Sequence, residues 1–234
     1  VLLVGDMGYN AKRKQFALVA NRFAWDKAET AERRRTGLHF DRVQAVKTGE
    51  AAAGIARALA EGWFAPDHPY MVALTAVRAR HGATAYPGSP VLAAELLRPG
   101  DRIHLAELHP AEHAALTQAM REWYSVIHRR DGLELALALT PPEPRRGLML
   151  IDPSYEVKSD YDALPRLIGQ VHAKWNVGVI VLWYPILTSG AHAPMLAALE
   201  AQRLPRTLRH EVRFPPAREE HGMVGSGLFV VNAP

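Results

Sequence analysis

From Arg102 to the carboxyl terminus, short apolar runs alternate with amphipathic stretches, and few folds accommodate that order. The pattern predicts strands at 102–107, 125–129, 147–151, 177–184, 207–213 and 227–232. It predicts helices at 111–122, 132–139, 160–174 and 191–203. Parallel neighbours cannot be joined by a tight hairpin, so strand–helix–strand repetition implies crossover connections. The predicted class is α/β, a doubly wound sheet of mostly parallel order. Pro141-Pro142-Glu143-Pro144 is a short rigid connector, too brief for a domain linker.

The most informative strand is the apolar run Leu148-Met149-Leu150-Ile151, set between Arg145-Arg146-Gly147 and Asp152-Pro153-Ser154-Tyr155. Four apolar residues in a row read as a strand buried on both faces. Pro153 stops it, having no N–H to give and restricting Asp152 to extended geometry. A carboxylate, a bare carbonyl and an aromatic ring are thereby presented at the carboxyl end of a central strand, the edge where open α/β sheets bind ligands. Asp-Pro-Ser-Tyr there resembles the Asp/Asn-Pro-Pro-Tyr/Phe/Trp motif of methyltransferases that act on exocyclic amino groups of bases. The adenine N6 amine is a poor nucleophile because its lone pair is delocalised into the ring. The Asp152 carboxylate and the Pro153 carbonyl each suit one N6–H, and together they hold the nitrogen in line with a sulfonium methyl. Tyr155 suits stacking on the base. The plain alternative is a strand ending in a type I turn.

Glu107 ends the strand at 102–107, placed either to hold both hydroxyls of a ribose or to sit as a surface acid near a helix N-terminus. Asp131-Gly132 follows the next strand, where it meets an adenine ring edge or makes an ordinary Asp-Gly turn. His104, Glu107, His109 and His113 form a loose histidine cluster without the His-Glu-x-x-His order, so no metal is expected. Gly222 with Gly225-Ser226-Gly227 precedes a strand instead of a helix, which rules out a phosphate cradle. A Gly-x-Ser-x-Gly hydrolase elbow is absent.

The 234 residues, 48% hydrophobic, suffice for one substantial core, read as a single domain with an insertion. Zero cysteines exclude disulfides and thiolate metal sites. No apolar run approaches the roughly 20 residues of a membrane span, and Val1-Leu2-Leu3-Val4 is too short for a secretory leader. A net charge of +4 is compatible with a nucleic-acid partner but does not demand one. Three segments are expected: 1–44, in which Val1-Leu2-Leu3-Val4-Gly5-Asp6 suits a strand and turn and the rest a basic arm; 45–100, a helical insertion; 101–234, the core. Within the insertion, helices are expected at 51–61 capped by Thr48, at 70–81 ended by Gly82, and at 91–97.

Taken together, the chain resembles the ribosomal RNA methyltransferase family that modifies N6 of one adenine in 23S RNA. The resemblance is carried by Lys47-Thr48-Gly49-Glu50, Tyr86-Pro87-Gly88-Ser89-Pro90, Leu105-Ala106-Glu107-Leu108-His109-Pro110, Asp131-Gly132 and Arg145 through Tyr155. Leu182-Trp183-Tyr184-Pro185, Gly222-Met223, Ser226-Gly227 and Val231-Asn232 complete it. It implies a Rossmann-like class I S-adenosyl-L-methionine-dependent methyltransferase sheet with a small helical insertion subdomain. It implies catalytic roles for Asp152, Pro153 and Tyr155, and cofactor contacts from Ser89, Glu107, Asp131, Gly132 and Asp152. The implied partner is 23S ribosomal RNA, and the protein is expected to be a cytoplasmic monomer with no metal and no membrane association. The family's first strand and its Asp-Thr-His-Ala-Gly-x-Gly loop are not found in this sequence. Residues 1 to about 42 are therefore expected to be foreign to the fold, for example through a shifted reading frame. Two alternatives follow: an inactive or RNA-binding remnant, and a DNA adenine-N6 methyltransferase.

Overall fold

The computed structural model describes residues 2–4, 55–83, 85–98, 100–108, 110–153, 155, 158–215 and 222–234. It divides into two compact units. The described part of the first comprises 2–4, 102–113 and 125–234; that of the second comprises 55–101 and 114–124.

The first unit is built on one seven-stranded sheet. Its strands are β1 (Leu2–Val4), β2 (Ile103–Ala106), β3 (Ser125–His128), β4 (Leu148–Ile151), β5 (Val179–Leu187), β6 (Leu208–Arg213) and β7 (Met223–Val231). Their order across the sheet is β3-β2-β1-β4-β5-β7-β6. The pairs β3–β2, β2–β1, β1–β4 and β4–β5 are all parallel. Only β7 runs against its neighbours β5 and β6. The doubly wound α/β expectation holds, with the strand order reversing between β1 and β4.

Leu2–Val4 is a strand, as the reading of Val1 to Asp6 allows. It pairs with β2 through Leu2↔His104 and with β4 through Val4↔Ile151, so it is an interior strand at the point where the order reverses. For these three residues the expectation of a segment foreign to the fold is corrected. The strand itself agrees with the expected strand and turn; its place inside the sheet is what the sequence does not show. Thr48 and residues 51–54 of the helix expected at 51–61 lie outside the described residues.

Helices α4 (Pro110–Ala119), α5 (Gly132–Leu139), α6 (Lys158–Lys174) and α7 (His192–Ala201) belong to this part of the chain, with α4 running from the first unit into the second. Pro110 opens α4, where a missing N–H costs nothing. Helices α5, α6 and α7 pack side by side, with α5 also on β1 and α7 on β5. Leu164, Ile168 and Val171 on α6 meet Met149, Ile151, Ile180 and Leu182 of β4 and β5, all fully buried. That apolar contact is the chief stabilising term of the unit.

Strand β7 begins at Met223, not at 227 as the pattern suggests. Glycines hide its first half. A Cβ on Gly227 would lie 2.2 Å from Tyr184 Cζ, and one on Gly225 would lie 2.5 Å from the Val212 carbonyl oxygen. The space that side chains would take is filled by neighbours, so the alternation that marks a strand is erased.

The second unit holds α1 (Arg57–Ala60), α2 (Pro69–His81) and α3 (Ser89–Leu96). His68 caps α2, its Nδ1 accepting from the Tyr70 amide at 3.2 Å, and Pro69 takes the first helical position. Gly82 ends the helix at φ 102°, a backbone that favours glycine. Helix α3 starts two residues before the expected 91, because Ser89 and Pro90 form its first turn. No described helix is long and apolar enough to cross a membrane.

Candidate active site

Parallel register decides which residues meet. Ala106 pairs with His128, Leu3 with Leu105 and Val4 with Ile151, so β1 to β4 end on one edge of the sheet. Glu107 and Asp152-Pro153 follow those ends directly, and Asp131-Gly132 begins three residues after the end of β3. Glu107 and Asp152 flank β1 from either side, two strand spacings or about 10 Å apart. This is the crevice at the reversal of strand order, where open α/β sheets bind nucleotides.

Glu107 is fully buried, and its amide donates to the His128 carbonyl at 2.9 Å, extending the β2–β3 ladder past the strand end. Its backbone is therefore fixed and its carboxylate sits away from bulk water. Asp131 caps α5: Oδ1 accepts from the amides of Leu133 at 2.9 Å and Glu134 at 3.0 Å. Asp131→Ala is expected to cost about 1 kcal/mol of stability through loss of this cap, with Asp131→Asn near neutral, as read by urea denaturation. Any ligand role of Asp131 has to share the residue with that cap.

Asp152 is 6% exposed and Pro153 is buried beside it. Tyr155 follows at φ 57°, a left-handed backbone that turns the chain sharply back on itself. Its hydroxyl donates to the Trp183 carbonyl on β5 at 2.5 Å, and its ring lies 5.0 Å from that of Tyr161. Tyr155 is thus part of the core at 6% exposure, and any stacking on a base uses the small surface left to it. Burial pushes its phenol well above the ordinary tyrosine range, helped by the negative charge of Asp152 and by Tyr161 and Asp160. It therefore remains a donor throughout the neutral range.

Ser89 belongs to the helical unit, where it is 6% exposed in the first turn of α3. Ser154 and His109 lie outside the described residues. Among the described residues no group of three or more His, Cys, Asp or Glu is placed to hold a metal.

Two features escaped the sequence reading. Asp160 and Tyr161, buried in the first turn of α6, close around Tyr155; an acid so soon after Asp-Pro-Ser-Tyr was the available signal. His104 and His128, on adjacent strands, bond Nδ1 to Nε2 at 3.0 Å with stacked rings 5.3 Å apart. Burial pushes both imidazoles below the usual histidine range, with the paired ring and Arg102 adding to the effect at His104 and Arg130 at His128. Two neutral rings satisfy that bond, one donating and one accepting. Only the β2–β3 pairing reveals it.

A seven-stranded sheet with one antiparallel strand, an acid after β2 and Asp-Pro after β4 defines a class I S-adenosylmethionine-dependent methyltransferase. The donor set fits such a cofactor, since a buried carboxylate after β2 is suited to ribose hydroxyls. The family model described as "Ribosomal RNA large subunit methyltransferase D, RlmJ" matches residues 36–234. A second model, "Protein of unknown function (DUF2948)", matches residues 1–59. The ribosomal RNA large subunit methyltransferase J of Escherichia coli K12 is 34% identical over 196 residues, covering 81% of this chain and 69% of that protein. The protein of the same name from Haemophilus influenzae is 35% identical over 195 residues, covering 80% and 68%. A crystal structure of a Legionella pneumophila protein superposes with a TM-score of 0.68 at 30% identity, covering 77% of this chain and 68% of that one. The chain belongs to the RlmJ family of ribosomal RNA large subunit methyltransferases.

Proposed function

We propose that this protein transfers a methyl group from S-adenosyl-L-methionine to N6 of an adenine in 23S ribosomal RNA. The observation that carries the reading is Asp152-Pro153 at the end of β4, set across β1 from the buried Glu107. S-adenosylmethionine, when bound, supplies an electrophilic methyl. Glu107 would hold the two ribose hydroxyls, and Asp131 with Gly132 would hold the adenine end of the cofactor. Asp152 and the Pro153 carbonyl each accept one N6–H of the target base, which orients the nitrogen and increases its electron density. A held amine of this kind needs no metal. Tyr155 anchors the loop that carries both acceptors, and its ring flanks the base. The relatives named above act on large-subunit ribosomal RNA by their names, which favours RNA over DNA as substrate. The same reading puts the protein in the cytoplasm as a monomer.

A second reading, a chain without transfer activity, has one observation in its favour. The RlmJ model begins at residue 36 and residues 1–35 are matched by the other model alone, although β1 lies at Leu2–Val4. Calorimetric titration with S-adenosylhomocysteine separates the two. Micromolar binding supports transfer, and no binding supports the inactive reading. In the binding-competent case, Glu107→Ala is expected to weaken affinity about 10- to 100-fold, since it removes charged hydrogen bonds in a buried site. Unchanged affinity would remove Glu107 from the cofactor contacts.

A further inference from the structure

The helical unit carries a pocket of about 340 Å3 lined by Arg80, Ala94, Glu95, Glu122 and Trp123. That is the low end of the size range of about 300–1,000 Å3 for small-molecule sites, suited to one nucleoside. Its aromatic wall is fixed from two sides. The Trp123 indole N–H donates to Glu95 Oε1 at 2.9 Å, and the Arg80 guanidinium, ion-paired to the same oxygen, sits over one face of the indole, 5.7 Å from its centroid. The Glu95 side chain is only 10% exposed, so this Trp-Glu-Arg arrangement is set before any ligand arrives. Glu122, whose Oε2 lies 3.5 Å from His81 Nε2, also lines the pocket with its side chain 40% exposed, and Tyr124 just beyond is 77% exposed.

We propose that this pocket binds one unpaired nucleobase of the substrate RNA, stacked on the Trp123 face that Arg80 does not cover, with its exocyclic amine donating to Glu122. The choice of RNA rests on the function proposed above; the choice of a base over a phosphate rests on charge. Two carboxylates line the pocket, and its one guanidinium is already paired, so an anion is repelled. A base offers a flat face to the indole, and adenine, cytosine and guanine offer an amine to a carboxylate. Uracil, which has a carbonyl in that place, is the base the pocket discriminates against.

The test is fluorescence anisotropy with the full chain and labelled 12-nucleotide oligocytidylate, oligouridylate and abasic RNA. Trp123→Leu is expected to weaken oligocytidylate binding about 5- to 100-fold. It leaves abasic RNA and the salt slope unchanged, because phosphate contacts are untouched. Trp123→Phe restores most of the loss, which a general folding defect would not allow. Glu122→Ala is expected to erase the preference for oligocytidylate over oligouridylate. Equal effects on base-bearing and abasic RNA, binding by Trp123→Leu within twofold of the parent, or no RNA binding by the parent would each overturn the pocket. S-adenosylhomocysteine titration reads the methyltransferase function separately, so the two ideas fail independently.

Discussion

Asp152→Ala lowers methyl transfer by at least about 1,000-fold and leaves S-adenosylhomocysteine affinity within about threefold: this is the largest effect the structure leads us to expect. The magnitude follows from the role proposed for Asp152. An amine whose lone pair is shared with a purine ring attacks only when it is held in line and made more pyramidal, and both depend on acceptors fixed before the reaction. Asp152 is fixed by Ile151, which is fully buried and registered to β1 and β5, and by Pro153, which allows one backbone geometry. At 6% exposure little water remains to replace the lost carboxylate. Asp152→Asn retains one acceptor oxygen and loses less. Single-turnover transfer of labelled methyl, paired with calorimetry, separates the two quantities. Equal loss of binding and transfer would show that Asp152 serves the cofactor and not the amine.

The second large effect concerns stability. Trp175→Ala is expected to destabilise the fold by about 3–5 kcal/mol, with a lower urea midpoint and an unchanged denaturant slope. Trp175 is fully buried in the short link between α6 and β5. A Cβ on Gly178 would lie 2.2 Å from its indole ring, and one on Gly147 would lie 3.1 Å away. Both glycines are therefore places where the indole occupies the room of a side chain. The indole N–H donates to the Arg145 carbonyl at 2.6 Å, which ties down the segment entering β4. Removing the ring leaves a cavity bordered by backbone that cannot collapse. Trp175→Phe keeps much of the volume but orphans the Arg145 carbonyl, and about 1–3 kcal/mol is expected. A loss under 1 kcal/mol for the alanine variant would show that the α6–β5 link rearranges freely.

Periodicity made most of the sheet legible before any coordinates. The runs at 147–151 and 177–184 are apolar and bounded by turn residues, and they became β4 and β5 with small shifts at their ends. Helix α6 was readable because Tyr161, Leu164, Ile168 and Val171 recur at helical spacing. Where the reading failed, the signal was missing for physical reasons. Gly225 and Gly227 conceal the first half of β7, and Leu2–Val4, legible as a strand, is too short to announce that it lies between β2 and β4.

The site was legible as a set of residue types, less so as an arrangement. Glu107 and Asp152 stand at strand ends because their strands were read correctly. The burial of Tyr155 against Tyr161, and its bond to a β5 carbonyl, depend on a left-handed residue that local sequence does not announce. The contact of His104 with His128, 24 residues apart, exists only through strand pairing. Sequence separation of this kind hides chemistry that a sheet brings together.

The most direct test of the proposed function is nucleoside analysis of an unmodified 23S ribosomal RNA transcript after incubation with this chain and labelled S-adenosylmethionine. The expected result is label in N6-methyladenosine, approaching one methyl per RNA, absent with Asp152→Ala and far weaker on duplex DNA of matching sequence. Label in any other nucleoside, or none at all from a chain that binds S-adenosylhomocysteine, would contradict it.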